Sequence, residues 1–299
     1  MKVVLHFDGS NALVEKLHPL GVELCPESDE RGFSVLLPEV EVLWHVLKPV
    51  TAEIIARAPK LKLIQKIGSG VNTIDIEAAK RRGIAVCNLP GTNSRAVAEM
   101  TLLLMLACLR RLPQLSAAVH AGRWLDAWKL QDHFGELGGR AVGLLGYGAV
   151  PRLLAPILEA LGARVLYWSR SKTNSDFATM VQTSDILSLH LPLTSQTQKL
   201  IDPRRMKRGA ILVNTARGGL VDEAALLEAL RTGHLAAAGL DVYGVEPLPA
   251  EHPLLAMRNV ICAPHLAWLT QETLDRSITA AMENVRRLRE GEPLLNRVA

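Results

Sequence analysis

Three polar side chains follow apolar, strand-like runs in the C-terminal half of the chain. Arg217 comes after Val213-Asn214-Thr215-Ala216, Glu246 after Gly239-Leu240-Asp241-Val242-Tyr243-Gly244-Val245, and His265 stands in Cys262-Ala263-Pro264-His265. Open α/β sheets place ligands at the carboxyl ends of their strands. Histidine titrates near neutrality and works as a reversible general acid and base. A carboxylate beside it favours imidazolium, raises the histidine pKa and fixes the ring. Arginine stays charged, grips a carboxylate and polarises a carbonyl. Reduction of a 2-oxo acid needs these functions and a hydride donor. Singly each residue is weak, because a lone histidine after a strand more often makes a structural hydrogen bond. Together, on successive strand ends beside a dinucleotide loop, they point to that chemistry.

The dinucleotide loop is Gly143-Leu144-Leu145-Gly146-Tyr147-Gly148-Ala149-Val150-Pro151, between a strand and a helix. Gly146 permits a tight turn, Gly148 lets the backbone approach a pyrophosphate, and the helix N-terminus offers free N–H groups. The third glycine is replaced by Pro151, which a first helical turn tolerates. Pro156 falls deeper and predicts a kinked or locally unwound helix near Ala155. About 20 residues on, an acidic residue would bind the ribose of NAD. Here the strand runs into Ser169-Arg170-Ser171-Lys172. With no carboxylate to repel a 2′-phosphate and Arg170 able to pair with one, NADP is favoured, with NAD the alternative cofactor. The competing reading of these residues is an ordinary solvated basic loop.

Positioning these groups takes two alternating series. The first has strands at Val3 to Phe7, Val42 to Leu47, Leu63 to Ile67 and Ala85 to Cys87, with helices at Ala12 to Leu17, Ala52 to Ala58 and Ile76 to Arg82. A long apolar helix capped by Asn93 or Ser94 then runs to about Leu112. The second has strands at Ala141 to Leu145, Arg164 to Trp168, Ile186 to His190, Ala210 to Asn214, Ala237 to Asp241 and Val260 to Ala263, with helices at Val150 to Leu161 and Glu223 to Arg231. Strands interleaved with helices imply parallel βαβ units. The expected fold is α/β, with two Rossmann-like or flavodoxin-like doubly wound parallel-sheet domains and a cleft between them. Residues 1–92 with 268–299 form the substrate domain, closed by a helix from Gln271 to Gly291, and 93–267 the dinucleotide-binding domain.

Composition fits this reading. The 299 residues are 48% hydrophobic and 21% charged, with a net charge of +4, so no basic nucleic-acid footprint is present. Cys25, Cys87, Cys108 and Cys262 are far apart, which argues against a zinc site or disulfide framework and for a reducing, cytoplasmic location. The N-terminal apolar run is too short for a secretory signal, and Met100 to Leu109 is about half a membrane span. No metal, nucleic acid or membrane partner is expected.

The chain closely resembles the D-isomer-specific 2-hydroxyacid dehydrogenases. The stretches that carry the resemblance are Gly68 to Asp75, Asn88-Leu89-Pro90-Gly91 with Ala96 to Glu99, Gly143 to Gly148, Ser188 to Thr194, Asn214 to Gly218, Gly239 to Val242 and Pro264-His265. The resemblance implies an active site in the cleft, with Arg217 as substrate binder, Glu246 as partner of His265, and His265 as acid–base catalyst. It implies that Asp241 meets the nicotinamide carboxamide, a cap or turn role being the alternative. It implies further that the N–H groups around Ser69, Gly70 and Val71 hold the substrate carboxylate, and that His190, Leu191, Pro192, Thr197, Thr215 and Ala216 line the cofactor. Glyoxylate and hydroxypyruvate reductases look nearest, through Ser169-Arg170 and through Trp124 to Lys129. In those enzymes a tryptophan enters the neighbouring subunit's site, and Trp128 resembles it; packing within its own subunit is the alternative. A homodimer is expected.

The chain looks shorter than most relatives after Lys172, which puts a normal helix at Asn174 to Thr183 in doubt. His45, Trp128 and Trp268 are further candidates to shape the substrate pocket. Formate dehydrogenases share the architecture, but the resemblance there calls for glutamine in place of Glu246. A reading of another class is a dinucleotide-sensing, non-catalytic interaction protein, as in corepressors that resemble these enzymes. No tail or charged arm for recruiting partners is visible.

Overall fold

The computed structural model describes residues 1–129 and 131–299. They divide into two compact units, residues 1–93 with 270–299 and residues 94–269.

In the first unit, strands β1 (Val3–His6), β2 (Val22–Cys25), β3 (Val42–His45), β4 (Leu63–Lys66) and β5 (Ala85–Cys87) form a parallel sheet in the order β2-β1-β3-β4-β5. This is the flavodoxin-type order, whose direction reverses between β1 and β3. All but β2 are buried along their whole length; each opens on an apolar run, and His6, His45, Gln65 and Lys66 are buried polar residues toward the strand ends. The sequence reading missed β2 and the helix Glu30–Leu36: Val22-Glu-Leu-Cys25 is short and half exposed, and so carries little hydrophobic signal. The helix Gln271–Glu290 completes the unit, burying Ile278, Ala281 and Val285. Its buried Asn284 donates to Gln65 Oε1 at 2.7 Å and exchanges hydrogen bonds with the Leu295 backbone.

In the second unit, β6 (Ala141–Leu145), β7 (Arg164–Trp168), β8 (Ile186–Leu189), β9 (Ile211–Asn214), β10 (Ala237–Leu240) and β11 (Val260–Cys262) are parallel in the order β11-β10-β9-β8-β6-β7. The direction reverses between β6 and β8. The long apolar helix does not reach Leu112 unbroken. It ends at Arg110, Arg111 adopts a left-handed backbone (φ 52°), and a second helix, Leu112–His120, departs at 64°. Pro113 sits in the first turn of that second helix, where its missing N–H is tolerated, but it has no N–H with which to continue the first helix. Among the described residues no single helix is long and apolar enough to cross a membrane; this bent pair passes by length and composition only.

The expected unwinding at Pro156 is not found, since the helix runs from Ala149 to Ala160 with Pro156 inside it. Pro151, Leu154, Ala155 and Leu158 form its buried stripe, whereas Pro156 and Arg152 are exposed. The one carbonyl deprived of a donor, that of Arg152, is therefore on the face where water can bond it. A helix also forms after Lys172, at Phe177–Thr183, seven residues long and capped by Asp176, whose side chain accepts from Thr179 N–H.

Candidate active site

The glycine loop lies where the second sheet reverses. Gly146 has φ 97°, its N–H donates to Trp168 O at 2.8 Å, and a Cβ there would stand 2.4 Å from His190 O. Only glycine satisfies both constraints. Gly148 caps the helix Ala149–Ala160, and a Cβ on it would meet nothing within 4 Å. The protein's own packing thus leaves Gly148 free, and the open backbone before a helix N-terminus fits a pyrophosphate. Tyr147 stacks on Tyr167 with ring centroids 4.0 Å apart, and Lys172 Nζ lies 5.1 Å and 5.6 Å from the two rings. Ser169 Oγ accepts from Lys172 N–H and donates to Lys172 O, closing the turn that exposes Arg170 and Ser171.

His190 follows β8. Burial pushes its imidazole down to about 3, and its Nε2 contacts Ser188 Oγ at 2.9 Å, so it is neutral at ordinary pH. Leu191 packs against the sheet core. Thr197 Oγ1 donates to Pro192 O at 2.7 Å and accepts from Thr194 N–H at 2.8 Å, bracing the loop after His190. Thr215 Oγ1 lies 3.0 Å from Thr101 Oγ1. Ala216 N–H donates to Asn214 Oδ1 at 3.0 Å, and Arg217 Nη1 donates to Ala216 O at 2.6 Å. Burial lowers the pKa of Arg217 and Glu246 opposes this, leaving the group a cation.

His265 Nδ1 lies 2.6 Å from Glu246 Oε2, and Tyr243 N–H donates to Glu246 Oε1 at 2.9 Å. Burial would raise the Glu246 carboxyl, but the His265 hydrogen bond and charge, the Tyr243 N–H and Arg217 outweigh it and hold the group below the usual carboxylate range. His265 has a left-handed backbone (φ 58°). The buried Asp241 explains how that conformation persists, because its oxygens accept from Leu266 N–H and Ala267 N–H, both at 2.9 Å. Asp241 thus shows the turn role directly. Tyr243 Oη lies between Leu240 O (3.2 Å) and Ala263 O (3.0 Å), tying the end of β10 to the His265 segment.

A family model described as "D-isomer specific 2-hydroxyacid dehydrogenase, NAD binding domain" matches residues 102–267. The glyoxylate reductase of Aeropyrum pernix is 39% identical over 275 residues, covering 85% of this chain and 81% of that one. The chain belongs to the D-isomer specific 2-hydroxyacid dehydrogenase family. This dehydrogenase is also 38% identical over 279 residues to a D-3-phosphoglycerate dehydrogenase of Mycobacterium leprae, covering 88% of this chain and 52% of the relative. Among solved structures, the TT0316 protein of Thermus thermophilus superposes with a TM-score of 0.87 at 36% identity, covering 100% of both chains. An NAD-dependent formate dehydrogenase of Staphylococcus aureus in complex with NAD gives 0.88 at 27% identity, covering 100% of this chain and 99% of that one. The dehydrogenase is accordingly an oxidoreductase that uses a nicotinamide dinucleotide.

Ser69, Gly70 and Val71 follow β4 in the first unit. Asn88 Nδ2 donates to Ser69 O at 2.7 Å, Leu89 N–H to Gly68 O at 2.8 Å and Ile74 N–H to Val71 O at 3.0 Å, which fixes the loop. Trp128 ends a short helix, Trp124–Trp128, and is 66% exposed, whereas Trp268 is buried. Sequence reasoning missed His6, at the end of β1 in register with His45 of β3. His6 stacks on Phe33 at 3.7 Å, and burial pushes it down to about 4; His45, 2.8 Å from Thr73 Oγ1, is pushed by burial to about 2. A polar residue ending an apolar strand was the available signal. Among the described residues no group of three or more side chains could hold a metal ion, and none of the cysteines is in a disulfide.

Proposed function

We propose that this dehydrogenase reduces a small 2-oxo acid, glyoxylate or hydroxypyruvate first among those to test, to the D-2-hydroxy acid. The observation that carries this reading is the 2.6 Å contact between His265 Nδ1 and Glu246 Oε2. A carboxylate on Nδ1 makes that nitrogen the permanent N–H and leaves Nε2 to give and take the catalytic proton. Arg217 anchors the substrate carboxylate and polarises its carbonyl, and the N–H groups of Ser69, Gly70 and Val71 complete the anion site. The reduced nicotinamide, when bound, supplies the hydride. His265 Nε2 gives its proton to the carbonyl oxygen, Glu246 stabilises the imidazolium until transfer, and solvent reprotonates the ring. Glyoxylate reductase relatives at 38–39% identity support the substrate class. Oxidation of NADPH and NADH with glyoxylate, hydroxypyruvate, pyruvate and phenylpyruvate tests it; no turnover above a His265→Ala control would favour the dinucleotide-sensing alternative. Cysteines without disulfides support a cytoplasmic location.

The preference is for NADP, with Ser169, Arg170, Ser171 and Lys172 around the 2′-phosphate and no carboxylate between Tyr167 and Thr173 to repel it. Arg170→Ala is expected to raise the KM for NADPH about tenfold, the scale of one charge-assisted hydrogen bond, and to leave that for NADH unchanged. A wild-type enzyme that prefers NADH would overturn the assignment.

A homodimer is supported by large apolar side chains exposed on consecutive helices: Leu103 and Leu106, Leu112 and Val119, Trp124 and Trp128. Such a set exceeds the scattered exposure normal for a monomer. Trp128, on this reading, reaches the partner's substrate site. Trp128→Ala should raise substrate KM while sedimentation still shows a dimer; unchanged KM returns Trp128 to packing within its own subunit.

A further inference from the structure

Glu246 is carried by an exposed loop. Gly244, Val245, Glu246 and Pro247 are all open to solvent, and Leu248 is the residue that packs inward. A segment with so little apolar burial does not hold a side chain to a 2.6 Å contact by packing, so polar tethers must fix it.

Both ends of that loop meet one carboxylate. Glu223 Oε2 accepts from Gly244 N–H at 3.2 Å, and Glu223 Oε1 lies 3.2 Å from His252 Nε2. The other ring nitrogen of His252, Nδ1, accepts from Leu254 N–H at 3.3 Å and caps the short helix Pro253–Ala256. Since Nδ1 is an acceptor, the ring hydrogen sits on Nε2 and donates to Glu223. Glu223 has a firm base, as the first residue of the helix Glu223–Arg231, which buries Ala225, Leu226, Ala229 and Leu230 and is capped by Asp222. Gly244 is fitted to this arrangement, because a Cβ there would stand 3.1 Å from Glu223 Oε2.

We propose that Glu223 is a positioning residue for the acid–base pair, its two oxygens clamping the start and the end of the loop that presents Glu246 to His265. The proposal rests on the roles given above to His265 and Glu246. Two N–H donors converge on the group, so both need an acceptor; a carboxylate offers two, whereas an amide of the same shape turns an NH₂ toward one of them. The short helix and the tether are separable. An asparagine at position 252 still caps Leu254 N–H but is too short to reach Glu223.

The test uses the full chain and three variants, Glu223→Ala, Glu223→Gln and His252→Asn, with two readouts. The first is steady-state reduction of the best 2-oxo acid across pH. The second is the proton NMR signal of the His265 Nδ1–H, assigned by its loss in His265→Gln, which needs no substrate. Misplacing a catalytic partner by about an ångström costs up to about a hundredfold in rate, so kcat should fall about ten- to a hundredfold in Glu223→Ala, with KM for cofactor unchanged. The pH profile should move toward that of Glu246→Gln, and the His265 proton signal should broaden by exchange. Glu223→Gln and His252→Asn should fall between Glu223→Ala and wild type. Unchanged pH profile and proton signal in Glu223→Ala would overturn the clamp, even with a lowered melting temperature, since that marks a merely structural role. Turnover abolished in His265→Ala but untouched in all three variants would sink the clamp and spare the catalytic reading. A wild-type His265 proton that exchanges as fast as in Glu223→Ala overturns it whether or not a substrate has been found.

Discussion

Replacing His265 by alanine is expected to lower kcat for reduction of the preferred 2-oxo acid by about a hundredfold or more, the range that general acid–base catalysis supplies. The imidazole is built in at some conformational cost. Its backbone is left-handed at φ 58°, and the buried Asp241 holds the next two N–H groups to keep it so. On the proposed mechanism reduction takes its proton from His265 Nε2 and oxidation of the hydroxy acid returns one there, so the variant should lose rate in both directions. Glu246 is held below the usual carboxylate range by His265 and its other partners, so it stays an anion through neutrality. A variant that retains the rate would remove the histidine from the mechanism.

Gly218→Ala is the second large effect, expected to reduce kcat at least as much as loss of a single binding group and to destabilise the fold by about 3 kcal/mol, the upper range for overpacking. A Cβ on Gly218 would lie 1.9 Å from Tyr243 C and 2.0 Å from Tyr243 O, so backbone must move. Either side that yields carries a group of the proposed mechanism. On one side the preceding residue is Arg217; on the other, Tyr243 supplies the N–H that holds Glu246 Oε1. The glycine after the arginine is therefore where the proposed substrate anchor and the loop of Glu246 are set against each other. Kinetics and thermal denaturation of the purified variant check both parts, and wild-type kcat together with wild-type stability would show that the close approach carries no consequence.

The elements that place these groups were legible where periodicity and punctuation agreed. The strand Ala141–Leu145, the turn at Gly146 and the helix Glu223–Arg231 are found where apolar runs and glycine predict them. Misreadings came where tertiary context decides. Arg111 breaks a helix that its apolar run would extend, because Pro113 follows. Pro156 is tolerated because the carbonyl it deprives of a donor faces outward, which depends on where the buried stripe lies. Of the candidate acid–base residues, His265 and Glu246, singled out by type, lie 2.6 Å apart. Sequence separation conceals the rest: Asp241 is 25 residues from Leu266, whose N–H it holds, and Glu223 is 29 residues from His252.

The first unit is assembled from two stretches of chain, residues 1–93 and 270–299, with the whole of the second unit encoded between them. During synthesis the five parallel strands of the first sheet leave the ribosome long before the helix Gln271–Glu290, and until it arrives Gln65 lacks Asn284 and the sheet lacks the cover of Ile278, Ala281 and Val285. Residues 94–269 have every strand of their sheet by then. Translation order therefore favours the glycine-loop unit as the first to reach its native state, with the amino-terminal unit waiting for its last helix.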